Sequence, residues 1–89
     1  MTDADLLTLD AIGLLCPLPV LKARKRLEKL KPGDVLRVEV DDPAALVDIP
    51  HFCVESGHTL LDQSEEMRQV NMADRQVQIY LIQKAAPAK

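Results

Sequence analysis

In the segment Val35-Leu36-Arg37-Val38-Glu39-Val40-Asp41, Leu36, Val38 and Val40 alternate without a break with Arg37, Glu39 and Asp41. Successive side chains of a strand point to opposite faces, so this segment reads as a strand with one face in a core and the other in water. It therefore demands a sheet covered on one side only. Turn-forming clusters bound it, with Lys31-Pro32-Gly33-Asp34 before and Asp42-Pro43-Ala44 after.

The flanking segments supply the cover. At about 100° per residue, Val20, Ala23, Leu27 and Leu30 share one arc of a helix over residues 17–30, with Lys22, Lys25, Arg26 and Lys29 opposite. Leu18 falls on the basic side and is expected to be exposed. Residues 5–9 read as a short first strand and 10–15 as a loop. Asp48-Ile49-Pro50 opens a second helix that ends at Ser56 before Gly57, with Ile49, Phe52 and Cys53 as its core face. Residues 58–62 and 75–83 are two further strands, and in the second Val77, Ile79 and Leu81 alternate with Gln76, Gln78 and Tyr80. Between them, residues 63–74 are polar and long for a hairpin loop, which predicts a mobile loop; residues 85–89 read as a disordered tail. Right-handed crossovers place both helices on one face, giving a two-layer α/β sandwich of the order strand, helix, strand, helix, strand, strand. The pattern leaves the strand order open.

Composition narrows the functional classes. With 89 residues, 47% of them hydrophobic and only 2% aromatic, the chain is expected to form one small domain, its core over about residues 5–84 and packed by aliphatic side chains. No basic n-region and no run of about 20 apolar residues is found, so a cytosolic protein without a membrane partner is expected. Cys16 and Cys53 are not a CxxC pair, and His51 and His58 are not spaced around Cys53 as zinc ligands, so neither a disulfide nor a metal is expected, and no cofactor. Each histidine reads as a surface or boundary residue. The net charge of −3 argues against bulk nucleic-acid binding. Six of the 11 basic residues nevertheless lie within residues 22–31, with Glu28 as the one acid there, so an electrostatic partner would meet the first helix.

The chemistry-bearing stretch is Gly13-Leu14-Leu15-Cys16-Pro17-Leu18-Pro19. Pro17 suits the first helical position, which makes Cys16 the N-cap and points its sulfur at the positive end of the helix dipole. Pro19 leaves only the Leu18 N–H to stabilise a thiolate, so a moderately acidified, nucleophilic thiol is expected. Cys53, on a core face, reads as structural; Asp41 and Asp42 read as turn formers rather than catalytic groups. Transfer of sulfur between proteins needs one exposed thiolate, which attacks a persulfide, holds the sulfur and releases it to another thiolate, whereas a dithiol oxidoreductase would need a resolving cysteine nearby.

Leu9-Asp10-Ala11-Ile12-Gly13-Leu14-Leu15-Cys16-Pro17-Leu18-Pro19, followed by Lys31-Pro32-Gly33-Asp34, Asp41-Asp42-Pro43 and Asp48-Ile49-Pro50, resembles the TusA/SirA-like family of small sulfur-carrier proteins over residues 9–84. The resemblance implies a mixed four-stranded sheet with two helices on one face, similar to the C-terminal domain of translation initiation factor three. It also implies a persulfide on Cys16, supported by Gly13, Pro17 and Pro19, taken from a cysteine desulfurase and passed to an acceptor protein in tRNA thiolation, molybdenum-cofactor synthesis or sulfur oxidation. Two features depart from the family pattern: Leu18 occupies a variable position that is acidic in some members, and residues 63–74 exceed a typical family hairpin loop. Leu18, Leu21, Lys22, Arg24, Lys25, Arg26 and Asp42 are the candidate partner contacts, and a monomer is expected. The alternative is a non-catalytic module that binds nucleic acid or a regulatory protein through the basic helix, but one Tyr and one Phe offer little for stacking on bases.

Overall fold

The computed structural model describes residues 7–86. Its elements are β1 (Thr8–Asp10), α1 (Leu18–Glu28), β2 (Val35–Val40), α2 (Ala45–Ser56), β3 (Thr59–Val70) and β4 (Ala73–Gln83). The sheet runs β1-β2-β4-β3, with β1 parallel to β2 and β4 antiparallel to both its neighbours. β4 thus splits the β2-α2-β3 crossover. Part of the strand expected at residues 5–9 lies outside the described residues, as do residues 87–89 of the expected tail; of that tail, Ala85 is anchored by its N–H on His58 Nδ1 at 2.9 Å.

One cluster holds the layers together. Ala23 and Leu27 of α1 and Ala45, Ile49, Phe52 and Cys53 of α2 pack on Leu9, Leu36, Val38, Val40, Tyr80 and Ile82, so both helices cover one face of a two-layer α/β sandwich. The alternation of β2 comes out as read, with Leu36, Val38 and Val40 fully buried. On α1, Val20 is half-buried while Pro19 joins the buried arc.

In β4 the register Leu36↔Ile82, Val38↔Tyr80, Val40↔Gln78 puts Gln78, Tyr80 and Ile82 under the helices, leaving Val77, Ile79 and Leu81 on the other face. Val77 and Ile79 are buried there all the same. Arg68 on β3 reaches Glu39 on β2 at 2.9 Å, and since β4 lies between those strands the ion pair crosses over it. Long charged side chains commonly shield apolar surface in this way, stem down and head in water. Arg68 holds the Glu39 carboxyl below the usual range, with Arg37 at 2.9 Å helping.

Two expectations are corrected. The second helix starts at Ala45, not at Asp48, because Asp42 turns the chain first: its Oδ1 accepts from Ala44 N at 3.1 Å and its carbonyl from Ala45 N at 3.0 Å. Pro50 is therefore inside the helix, and Gly57 ends it at φ 83°, in the left-handed region glycine enters freely. The expected mobile loop at residues 63–74 is hairpin: β3 and β4 stay paired from Thr59↔Gln83 to Val70↔Ala73, and only Asn71 and Met72, at φ 52° and 65°, turn the corner. Beyond the last β2 pair, Val40↔Gln78, this hairpin continues alone as an arm. Its residues are mostly polar, and its few apolar ones, Met67, Val70, Ala73 and Val77, make no regular alternation that marks a strand; its turn also lacks the glycine that usually announces a two-residue loop.

Candidate functional site

The parallel strands β1 and β2 lie side by side and deliver their following loops to the same edge of the sheet, where parallel α/β sheets commonly build sites. The first loop carries Cys16. The second carries Asp41 and Asp42, and α2 adds Asp48 one turn later.

Those aspartates hold the cysteine loop by its backbone. Asp41 Oδ1 accepts from Gly13 N at 2.9 Å, and Asp42 Oδ2 from Cys16 N at 2.7 Å. Gly13 makes its bond at φ 87°, a left-handed conformation that costs a residue with a Cβ about 1 kcal/mol or more. Asp41 is fixed in turn by Arg75 Nη1 on its other oxygen at 2.9 Å, which ties the base of the hairpin arm to the loop. The Cys16–Pro17 peptide bond is cis.

The expected capping geometry is not the one found. α1 begins at Leu18 with Pro17 as its N-cap, and the Leu18 N–H is taken by Leu15 O at 2.8 Å. No side chain caps this helix, and the Cys16 sulfur donates instead to Asp48 Oδ2 at 2.8 Å. The thiol is consequently held above its ordinary value, chiefly by that hydrogen bond, with desolvation and the charges of Asp48 and Asp42 adding to it. The expected acidification is thus reversed. With the Leu18 donor committed elsewhere and Pro19 buried in the core-facing arc, Pro19 serves packing and helix entry rather than the tuning of a thiolate.

Cys16 is exposed and opens onto a groove of about 190 Å³ between the helices, lined also by Pro17, Val20, Arg24, Asp48, His51, Phe52 and Glu55. His51, which no sequence argument brought near the sulfur, shares this groove and faces Glu55 at 3.4 Å. Arg24 lies over the Phe52 ring, 5.6 Å from its centroid. Leu18 is exposed as expected, the candidate contact Leu21 is exposed too, and Leu15, Leu46 and Val47 join them around the cysteine end of the molecule. Lys22, Lys25 and Lys29 face outward and, with Arg26 and Leu9, line a separate depression of about 150 Å³. Arg26 departs from the purely solvated face expected of it: it is half-buried and its Nη1 donates to Thr8 O at 2.9 Å, holding α1 to β1. Asp42, a candidate partner contact, is spent on the two backbone N–H groups it accepts from.

Cys53 is buried among the core residues, and burial pushes its thiol up to about 11. His58 lies against Phe52 with ring centroids 5.8 Å apart and the rings tilted by 52°, and burial lowers its basicity. Among the described residues, no group of three or more His, Cys, Asp or Glu side chains is placed to hold a metal ion, and no helix is long and apolar enough to cross a membrane. Sequence reasoning missed Asp48, which lies 32 residues from Cys16. The signal that could have found it is topological: neighbouring parallel strands bring their loops together whatever the separation in sequence.

Residues 7–73 match the family model described as sulfurtransferase TusA. The sulfur carrier protein TusA of Pseudomonas entomophila is 52% identical over 59 residues, covering 66% of this chain and 74% of the relative. That of Pseudomonas aeruginosa is 46% identical over 66 residues, covering 74% and 84%. A crystal structure of a SirA-like protein from Desulfitobacterium hafniense superposes with a TM-score of 0.54 at 28% identity, covering 82% of this chain and 93% of that one. An exposed cysteine in a loop that two aspartates hold by its backbone, on a split sheet shared with a SirA-like protein, agrees with the sequence match over three quarters of its length, and the chain belongs to the sulfurtransferase TusA family of sulfur carriers.

Proposed function

We propose that Cys16 accepts sulfane sulfur as a persulfide from a cysteine desulfurase or a similar protein donor in the cytosol and relays it to an acceptor protein. The observation that carries this is the exposed Sγ at the mouth of an apolar-rimmed groove, with Cys53 sealed in the core. One accessible sulfur can receive and pass on an atom but cannot close an internal disulfide, which suits a relay and not a dithiol oxidoreductase. Arg24 lines the groove beside the reacting sulfur, Lys22 and Lys25 line the separate depression on the other flank of α1, and the exposed Leu18 and Leu21 belong to the same helix, so a donor that docks along α1 meets both flanks next to Cys16.

Incubation with a desulfurase and cysteine is expected to add one sulfur, ~32 Da, at Cys16 and none to Cys16→Ser. Intact-protein and peptide mass spectrometry check it; sulfur on Cys53, or a Cys16 that resists alkylation in the native fold, would refute the assignment.

A further inference from the structure

Two carboxylates stand against the reacting sulfur. Asp48 Oδ2 accepts the Cys16 Sγ–H at 2.8 Å, and Asp42 Oδ2 accepts the N–H of the same residue at 2.7 Å. Both disfavour a thiolate. The cations of the groove do not offset them: Arg24 stacks on Phe52, and His51 faces Glu55. Among the described residues, no Lys, Arg or His forms an ion pair with Asp48. At rest Cys16 is therefore a thiol, and a thiol is a poor nucleophile.

The sulfur-carrier reading, on which this inference rests, nevertheless requires the thiolate. In loading, the Cys16 S–H bond breaks and Sγ bonds the sulfane sulfur of the donor's persulfide. The donor's S–S bond breaks, its cysteine leaves with the electron pair, and the proton given up by Cys16 balances the one that thiolate takes from solvent. Among the described residues, no cation pairs with Asp48 to lift the carboxylate's hold on the thiol at the moment of attack. We propose that Asp48 latches Cys16 in its thiol form, and that the donor releases the latch by bringing a cationic side chain against the Asp48 carboxylate as its persulfide reaches Sγ. The exposed Leu15, Leu18, Leu46 and Val47 favour such a contact, because a docked partner excludes water there and strengthens the pairing of the two charges. The latch also keeps the free carrier unreactive toward stray electrophiles and turns away anionic ones. The donor is thus a protein with a basic residue beside its persulfide cysteine.

Methanethiosulfonate reagents test this without knowledge of the donor, since cationic (trimethylammonium-ethyl), neutral (methyl) and anionic (sulfonatoethyl) forms share one reaction. On the wild-type protein at low salt, the cationic-to-anionic rate ratio at Cys16 is expected to exceed that of free N-acetylcysteine by about tenfold, each unit charge gaining or losing about threefold beside one carboxylate. It should collapse in about 1 M salt. Asp48→Asn should bring the ratio toward that of the free thiol, move the pH profile of iodoacetamide alkylation downward, and speed alkylation at neutral pH by about threefold or more, because loss of the acceptor carboxylate and its charge raises the thiolate fraction. Asp42, Arg24, His51 and Glu55 also face the sulfur and remain in place, so some selectivity should persist. A wild-type ratio no greater than that of the free thiol, or Asp48→Asn alkylating no faster, overturns the latch. Sulfur uptake on the same wild-type sample separates the two readings: uptake without charge selectivity sinks the latch alone, whereas selectivity without uptake from any persulfide sinks the carrier reading and the donor cation with it.

Discussion

Asp42 does two jobs with one carboxylate, holding Cys16 N at 2.7 Å with one oxygen and Ala44 N at 3.1 Å with the other. It therefore sets the height of the cysteine loop and the start of α2 together. Asp42→Ala leaves two N–H groups without their acceptor, and a loss of about 1 to 2 kcal/mol is expected from urea denaturation, since part of each bond is replaced by water at this exposed edge. Faster hydrogen exchange at the Cys16 amide should accompany it; an unchanged exchange rate would mean the loop is held by other contacts. Asp41 acts on the same loop through Gly13, and Arg75 keeps its carboxylate aimed.

At the scale of elements, the hairpin arm extends beyond the rest of the sheet. Met72 holds φ 65° in its turn, where a residue with a Cβ is disfavoured and glycine is not. Met72→Gly is expected to raise stability by about 1 kcal/mol in a denaturant titration, because the relief of left-handed strain outweighs glycine's entropy in a turn of this form. A destabilised variant would show that the exposed methionine side chain contributes something the turn geometry does not. The basic helix calls for a different experiment. Reversing charge at Lys22 and Lys25 should slow sulfur capture from a protein donor by several-fold, mostly through association, while leaving stability within about 0.5 kcal/mol. Leu18→Asp should act in the same direction. Arg26 does not belong in that set: it reaches Thr8 O, so its reversal would loosen α1 from β1 and confound binding with folding. Capture rates indifferent to Lys22, Lys25 and Leu18 would leave this face as ordinary solvated surface.

For the whole molecule, the alkaline limit is written in the core. Burial pushes Cys53 up to about 11 and Tyr80 up to about 12, so both stay neutral in the fold at pH values where the unfolded chain releases their protons. A folded-state value above the unfolded one means stability that is complete below the unfolded value, about 8.5 for a thiol, and is lost as pH rises toward the folded value. The melting temperature should therefore fall between about pH 9 and pH 11, and Cys53→Ala, though less stable at pH 7 by about 1 kcal/mol for the space it leaves, should fall less steeply across that window. Parallel slopes for the two proteins would assign the alkaline loss elsewhere. Glu39 works in the opposite sense: Arg68 and Arg37 lower its value, so its contribution is present above about pH 4.3 and fades as acid protonates it.

Local patterns in the sequence determined the elements and their sum. The unbroken alternation of residues 35–41, the helical arc through Ala23, Leu27 and Leu30, the Pro-Gly stop and the single cysteine in a helix-opening loop are all short-range facts, and a two-layer sandwich with Cys16 at its edge follows from them. Three things were decided only when the layers met. The covered face of β4 was set by register against β2, because both of its faces carry bulky side chains and alternation cannot rank them. The length of the hairpin was set by pairing, since a polar arm carries no periodic signal and its ladder of backbone bonds is independent of side-chain type. The state of the thiol was set by Asp48 and Asp42, 32 and 26 residues away, whose carboxylates reach Cys16 only because parallel strands β1 and β2 lie next to each other. Electrostatics acts through space, and its sign at a sulfur belongs to whatever the fold brings within hydrogen-bond distance.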